Sequence, residues 1–241
     1  MKIAIFSDVH GNRFALEAVL ADIREFKPGE ILNLGDQIWG GADPAGAWRI
    51  QRDLGIRGVR GNTDERIAQM VENGDKAEQY RAWVLEQTGP EPVEALGALP
   101  LTLEAVGGEI VVAHGSLESA WEPLMFTERK KKGGYRPARP AELLERARAF
   151  PEAKVFVVGH THQERFLEVE GRAFVNAGPV SRPKDGSAWA RWIALERRDG
   201  AWSVTFRRVA YDVEAAARWA EAHAPHGPKE ARHLRLGLEQ E

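Results

Sequence analysis

The stretch K-I-A-I-F-S-D-V-H-G-N, Lys2 to Asn12, decides the reading of the chain. A short apolar run, Lys2 to Ser7, breaks directly into a loop carrying Asp8, His10 and Asn12. An apolar run of this length bounded by turn residues reads as a buried strand. Behind it, Phe14 to Phe26 places Leu16, Val19, Leu20 and Ile23 at helical spacing. The unit of strand, polar loop and helix then recurs. Glu30 to Leu34 leads into the Gly-rich loop Gly35 to Asp43 and a helix over Pro44 to Leu54, with Asp43 as N-cap and Pro44 in the first helical position. Gly55 to Arg60 as strand, Gly61 to Asp64 as loop and a helix from Glu65 to Glu72 make a third copy. Such alternation predicts a parallel or mixed sheet with helices on its faces, and ligands gather at the carboxyl ends of strands in these sheets. The three loops are expected to share one rim.

Residues 75–98 read as helical, broken at Gly89, Pro90 and Pro92, and then the texture changes to strand pairs around glycines. Leu101 to Val106 and Glu109 to Ala113 flank Gly107-Gly108, and Phe166 to Glu170 and Arg172 to Asn176 flank Gly171. Ala188 to Arg197 and Trp202 to Val209 flank Asp199-Gly200. Val155 to Val158 is one more apolar run. The basic, unpatterned stretch at about 128–139 reads as a mobile loop before a helix over Pro140 to Phe150. A helix from Val213 to Ala222 and a polar tail at about 223–241 close a single expected domain, 1–241, of two sheets with outer helices.

At 241 residues, 43% apolar and 29% charged, the chain can bury a full core, which excludes disordered and fibrous classes. A net charge of -3 supplies no global cationic field, so nucleic acid is possible but not indicated as a partner and anion recognition must be local. No run approaches the ~18 apolar residues of a membrane span, and the first apolar run is too short for a signal-peptide core; a cytoplasmic protein without membrane contact is expected. Cysteine is absent, so a metal would have to sit on His, Asp, Glu or Asn.

Five polar segments follow apolar runs: Asp8 with His10, Gly35-Asp36, Gly61-Asn62-Thr63-Asp64, His114, and Gly159-His160-Thr161-His162. Each alone has a plain structural reading. Asp-x-His is usually a polar loop, Gly35-Asp36 a turn, and His114 a hydrogen-bonded core histidine. Asn62 equally reads as an N-cap with Glu65 completing a capping box. Together they place two Asp, one Asn and four His at strand ends, seven nitrogen and oxygen donors of the kind that hold two divalent transition ions. With neutral histidines such a centre carries a charge of about +2, which attracts anions. Trp39, Trp48 and Trp121 could stack a base, with packing the simpler role, and Arg129 to Lys132 could draw in polyanions or be a solvated loop.

In this order the segments, with N-A-G at Asn176 to Gly178, resemble the calcineurin-like metallophosphoesterase superfamily. The opening, together with G-D-Q-I-W-G-G-A-D-P over Gly35 to Pro44, is most similar to its small prokaryotic phosphodiesterase-like branch, with Trp39 near a usual tyrosine position. The resemblance implies an α/β fold, a four-layer α/β/β/α sandwich of two mixed sheets flanked by helices. It implies one metal on Asp8, His10, Asp36 and His162 and a second on Asp36, Asn62, His114 and His160, with Asp36 bridging. Manganese is the first expectation, with iron, nickel, cobalt, zinc and magnesium as alternatives. The implied reaction is hydrolysis of a phosphodiester or nucleotide-type small molecule by in-line attack of a metal-bridging hydroxide, with Asp36, Asn62 and Asn12 catalytic and Asn12 and Asn62 contacting substrate. Asn176 would support the rim or simply form a strand-end turn. Thr63 departs from the pattern, standing where many relatives carry a histidine beside the leaving group, and a hydroxyl is too weak an acid to replace it. A catalytically weak metal-binding or protein-interaction member of the fold is the alternative. A nucleotide hydrolase is a further alternative within the enzyme class, while dinucleoside-polyphosphate hydrolases and protein phosphatases fit less well, since they normally show G-N-H-E.

Overall fold

Alternate residues of the first strand enter two different cores. β1 (Lys2–Phe6) sends Ile3 and Ile5 into one apolar cluster and Ala4 and Phe6 into another, as the two-residue period of a strand requires. The computed structural model describes residues 1–69, 76–129 and 133–238. The elements that follow β1 are α1 (Arg13–Phe26), β2 (Glu30–Asn33), α2 (Pro44–Leu54), β3 (Arg57–Gly58), α3 (Asn62–Ala68), α4 (Lys76–Thr88), α5 (Glu91–Gly97), β4 (Thr102–Ala105) and β5 (Ile110–Ala113). Next come β6 (Phe126–Glu128), β7 (Tyr135–Pro137), α6 (Pro140–Arg146), β8 (Val155–Val158), β9 (Arg165–Val169) and β10 (Arg172–Asn176). The chain continues through β11 (Ala190–Arg198), β12 (Ala201–Val209), α7 (Val213–His223) and α8 (Gly227–Leu236).

Two five-stranded sheets have the orders β12-β11-β1-β2-β3 and β4-β5-β8-β10-β9. β1, β2 and β3 run parallel, with Ile5 opposite Leu32 and Asn33 opposite Gly58, while β11 lies antiparallel to β1. In the second sheet β5, β8 and β10 are parallel and the edge strands β4 and β9 antiparallel. Ile3, Ile5, Leu32, Val112, Val157 and Ile193 share the apolar cluster between the sheets. Outside the first sheet, α1 lays Leu16, Val19 and Ile23 against Ala4, Phe6 and Trp192; outside the second, α6 sets Leu143 against Phe156 and Phe174. The layers are the expected helix, sheet, sheet, helix. No helix among the described residues is long and apolar enough to cross a membrane.

The expected hairpins form. Glu170-Gly171 and Asp199-Gly200 both take positive φ at each residue, as the two-residue turns favoured between twisted strands demand. Other stretches differ from expectation. The strand expected at residues 55–60 keeps only two ladder residues, because Arg60 N–H turns away to Pro100 O at 3.0 Å. α3 begins at Asn62 and not at Glu65; Asp64, not Glu65, accepts from the Gly61 N–H at 2.8 Å. The stretch at 128–139 is not unpatterned: β6 and β7 pair antiparallel across it, with Thr127 opposite Arg136. That ribbon is tied from α6, where Glu142 takes both ends of the Arg136 guanidinium and Arg146 donates to the Leu124 and Phe126 carbonyls. Contacts between separate elements leave no local periodicity to read. Residues 130–132 of the expected basic loop lie outside the described residues. The polar tail contains α8, which buries Gly227, Ala231 and Leu234. Its small buried residues are easily lost among charged ones.

Candidate metal centre

Five of the seven candidate ligands occupy the left-handed region of the backbone: Asp8 (φ 57°), His10 (46°), Asp36 (56°), His160 (68°) and His162 (59°). Each such residue costs roughly 1–2 kcal/mol, so these loops depend on bonds to one another. Asp8 N–H donates to Gly35 O at 3.0 Å, His10 N–H to Asp36 O at 2.9 Å, Gly159 N–H to His114 O at 2.9 Å and Ser181 N–H to Asp8 O at 3.0 Å. Close approach also demands glycine. A Cβ at Gly159 would lie 1.9 Å from Ser7 Oγ, and one at Gly35 would lie 2.3 Å from Gly61 N. Strain that the surroundings enforce in this way concentrates at functional sites.

The loops converge their donor atoms. His10 Nδ1 lies 2.9 Å from Trp39 O, His114 Nδ1 2.8 Å from Leu34 O, and His162 Nδ1 2.7 Å from Arg182 O. A carbonyl only accepts, so each Nδ1 carries its proton and each Nε2 presents a lone pair inward when the ring is neutral. His10 Nε2 and His162 Nε2 are 3.0 Å apart, and His162 Nε2 is 3.3 Å from Asp8 Oδ1. Asp36 turns one oxygen to each side, Oδ2 3.6 Å from His10 Nε2 and Oδ1 3.5 Å from His114 Nε2. Asn62 Oδ1 lies 3.0 Å from both His114 Nε2 and His160 Nδ1.

Burial and charge set the protonation of this cluster. Burial, reinforced by His162 and Arg182 and opposed by Asp36 and Asp8, pulls His10 down to about 3. Burial works against ionised Asp8, yet His162, His114 and His10 together hold it well below the ordinary carboxylate range. His114 is raised: burial opposes its charge, but Asp36, Asp8 and Asp64 outweigh it. Burial and the adjacent His114 lower His160.

These residues fit divalent ions. Asp8 Oδ1 is fully buried without a hydrogen-bond partner, and two inward imidazole lone pairs 3.0 Å apart cannot satisfy each other. Asp8, His10 and His162 form one group whose ligand atoms lie within 4.8 Å of one another, and Asp8, Asp36 and His114 form another. Imidazole, carboxylate and amide oxygen suit first-row divalent metals.

Residues without an obvious sequence signal hold the ligands. Asp64, completely buried, accepts from the N–H groups of Asp36 and Gln37 at 2.9 Å and of Gly61 at 2.8 Å, locking two ligand loops together. Burial and the nearby Asp36 carboxylate push Asp64 up to about 6 against those backbone donors. The Trp39 and Arg182 carbonyls are equally silent in sequence. Thr63 steers Asp36 by donating its backbone N–H to Oδ1 at 2.9 Å, while its own hydroxyl is enclosed and unpartnered. Asn12, expected to contact substrate, lies at the N-cap of α1. It is fully buried, its Oδ1 caps α1 by accepting from Ala15 N–H, and its amide donates to Ser181 and Tyr211. Asn176 makes bonds of both expected kinds, donating to Gly159 O at 2.6 Å and Thr161 Oγ1 at 3.0 Å and accepting from Gly178 N–H at 3.2 Å in a strand-end turn. Trp48 is core, bonded to Glu91, and Trp39 packs on Tyr80, whereas Trp121 is 42% exposed. A cavity of about 430 Å³ adjoins the centre at His160, lined also by Phe126, Tyr135, Gln163 and Lys184.

The model of the calcineurin-like phosphoesterase superfamily domain matches residues 1–196, and the chain belongs to that family. A metallophosphoesterase from Sphaerobacter thermophilus is similar in structure, with a TM-score of 0.77 and 27% identity, covering 99% of this chain and 100% of that one. The hypothetical protein PH1004 from Pyrococcus horikoshii OT3 has the same fold, with a TM-score of 0.79 and 19% identity over 99% of each chain. In sequence, the uncharacterized protein MJ0912 of Methanocaldococcus jannaschii is 27% identical over 237 residues, 89% of each. The protein is thus a phosphoesterase-family chain whose His and Asp clusters can bind metal.

Proposed function

We propose that the protein is a dinuclear metal-dependent phosphoesterase that favours phosphodiesters, working as a single domain over 1–241. The observation that carries this reading is Asp36, which faces His10 with one carboxylate oxygen and His114 with the other. Asp8, His10, Asp36 and His162 would hold one ion and Asp36, Asn62, His114 and His160 the other, with manganese the first choice for so mixed a donor set. When bound, such a pair supplies Lewis-acid stabilisation of phosphoryl oxygens and a hydroxide nucleophile near neutral pH.

The chain's own residues do the positioning. Thr63 N–H and the Asp64 carboxylate set the orientation of Asp36 and its loop. Three carbonyls fix the histidine tautomers, so the centre needs little rearrangement to accept its ions. The Thr63 hydroxyl is enclosed and supplies no proton to a departing alcohol, which favours substrates with good leaving groups; a general acid is typically worth ~10²–10⁴-fold. The 430 Å³ cavity at His160 has the size of a small-molecule site.

Metal analysis after mild purification should find about two divalent ions per chain. With Mn²⁺ present, bis(p-nitrophenyl) phosphate should be cleaved faster than an alkyl phosphomonoester. A full metal complement with no turnover of any phosphoester would instead establish a metal-binding scaffold.

A further inference from the structure

Arg66 stands on α3 four residues beyond Asn62, and residues at that spacing occupy the same helix face. Its guanidinium carbon lies 5.9 Å from the centre of the Trp39 ring and 4.8 Å from the centre of the Trp121 ring. Trp39 follows Asp36 in the loop after β2, and Trp121 belongs to the segment that follows His114 after β5. The residues around Arg66 therefore come from the segments that carry Asp36, Asn62 and His114, the second-ion side of the centre.

Both indoles are themselves held. Trp39 packs on Tyr80 at 5.3 Å and its carbonyl accepts from His10; Trp121 donates from Nε1 to Glu65 Oε2 at 2.8 Å. Arg60, on the same rim, is paired with Glu65 at 3.0 Å. Arg66 differs: among the described residues its guanidinium has ring contacts but no carboxylate and no hydrogen-bond acceptor. A guanidinium over aromatic faces is attracted to them yet keeps the N–H donors in its own plane available. Five donors in a planar fork match a phosphate. Because the rings already restrict the side chain, less conformational freedom is lost when an anion binds.

We infer that Arg66, clamped between Trp39 and Trp121, binds a second, non-scissile phosphate of the substrate and so selects molecules with two phosphate groups over those with one. The inference rests on the phosphoesterase reading for its meaning in catalysis, but not for its test. Two chemistries provide such a phosphate: the neighbouring linkage of an oligonucleotide, one sugar away, and the adjacent group of a nucleoside diphosphate.

Calorimetric titration of the metal-loaded protein with thymidine 3′,5′-bisphosphate, thymidine diphosphate and thymidine monophosphate distinguishes these sources without turnover. In Arg66→Ala, affinity for a two-phosphate ligand relative to the monophosphate should fall about tenfold, the order expected for a charge-assisted contact at a half-exposed site. Arg66→Lys retains charge without the fork and should lose about threefold; it also serves if the alanine variant does not fold. A relative loss confined to the bisphosphate assigns the oligonucleotide-type substrate, and one confined to the diphosphate assigns the nucleotide type. An unchanged ratio for both ligands in either folded variant overturns the inference. Separately, absence of turnover on any phosphodiester, phosphomonoester or nucleotide by the metal-loaded wild type would sink the phosphoesterase reading and leave the binding result standing.

Discussion

On one side of Asp36, His10 and His162 are buried and held through Nδ1 by the carbonyls of Trp39 and Arg182; on the other, Asn62 and His160 are half-buried and meet at 3.0 Å. The first side is a closed holder in which the main chain fixes every ring. The second borders the cavity at His160 and carries Arg66 along its rim. Only His114 on that side has a comparable anchor, donating to Leu34 O. Under the proposed function, the closed side would retain the ions and the open side would meet substrate.

Breaking the residue common to both sides should have the largest effect. Asp36→Asn is expected to lower turnover of a nitrophenyl diester by roughly 10³-fold, about 4 kcal/mol of barrier, and to leave at most one ion per chain by metal analysis. Near-normal turnover with two ions would remove Asp36 from the bridging position.

The two sides separate next. His162→Ala takes away the imidazole nearest the buried Asp8 carboxylate, and removing a polar neighbour from a buried carboxylate costs about 3 kcal/mol or more. The melting temperature should drop by about 6–12 °C or more, at about 2–4 °C per kcal/mol for a chain of this size. Asn62→Ala, on the open side, should reduce turnover while moving the melting temperature by less than about 3 °C. Equal melting shifts in the two variants would erase the distinction.

Asp64→Asn sharpens the comparison from beneath. It replaces an acceptor of three backbone N–H groups with an amide that points donors at one of them, a loss of about 1–3 kcal/mol. Melting should fall by about 2–12 °C, and metal affinity by about 10–100-fold, as for other groups that orient ligands. Calorimetry and a competitive chelator titration measure the two effects, and unchanged affinity would mean that the loops align without Asp64.

Thr63→Val gives the smallest change. Removing an enclosed, unpartnered hydroxyl while keeping the backbone N–H should leave turnover within about twofold and stability unchanged or raised by up to about 1 kcal/mol. A large loss of activity confined to substrates with poor leaving groups would show that the hydroxyl reaches the reaction after all.

Much of this architecture was legible beforehand because its signals are local. Apolar runs broken by Asp8, Asp36, His114 and His160 marked strand ends, and Gly171 and Asp199-Gly200 marked hairpins through the positive φ that such turns need. Asn12 was ambiguous for the same reason that it caps a helix: the donors and acceptors that suit a phosphate also suit a helix end. The β6–β7 ribbon escaped notice because Glu142 and Arg146 hold it from another element. Asp64 looked like one more acidic residue early in a helix.

Order along the chain was enough to assemble seven donors at the ends of buried strands, since strand period and turn chemistry depend on neighbours in sequence. Their arrangement depended on packing. His10 and His162 stand 152 positions apart yet meet at 3.0 Å, their rings are aimed by carbonyls that any residue would have supplied, and the backbones of five candidate ligands sit in strained conformations no local propensity favours. Only the two sheets, packed together through their shared apolar core, provide the interaction energy that holds those loops against one another.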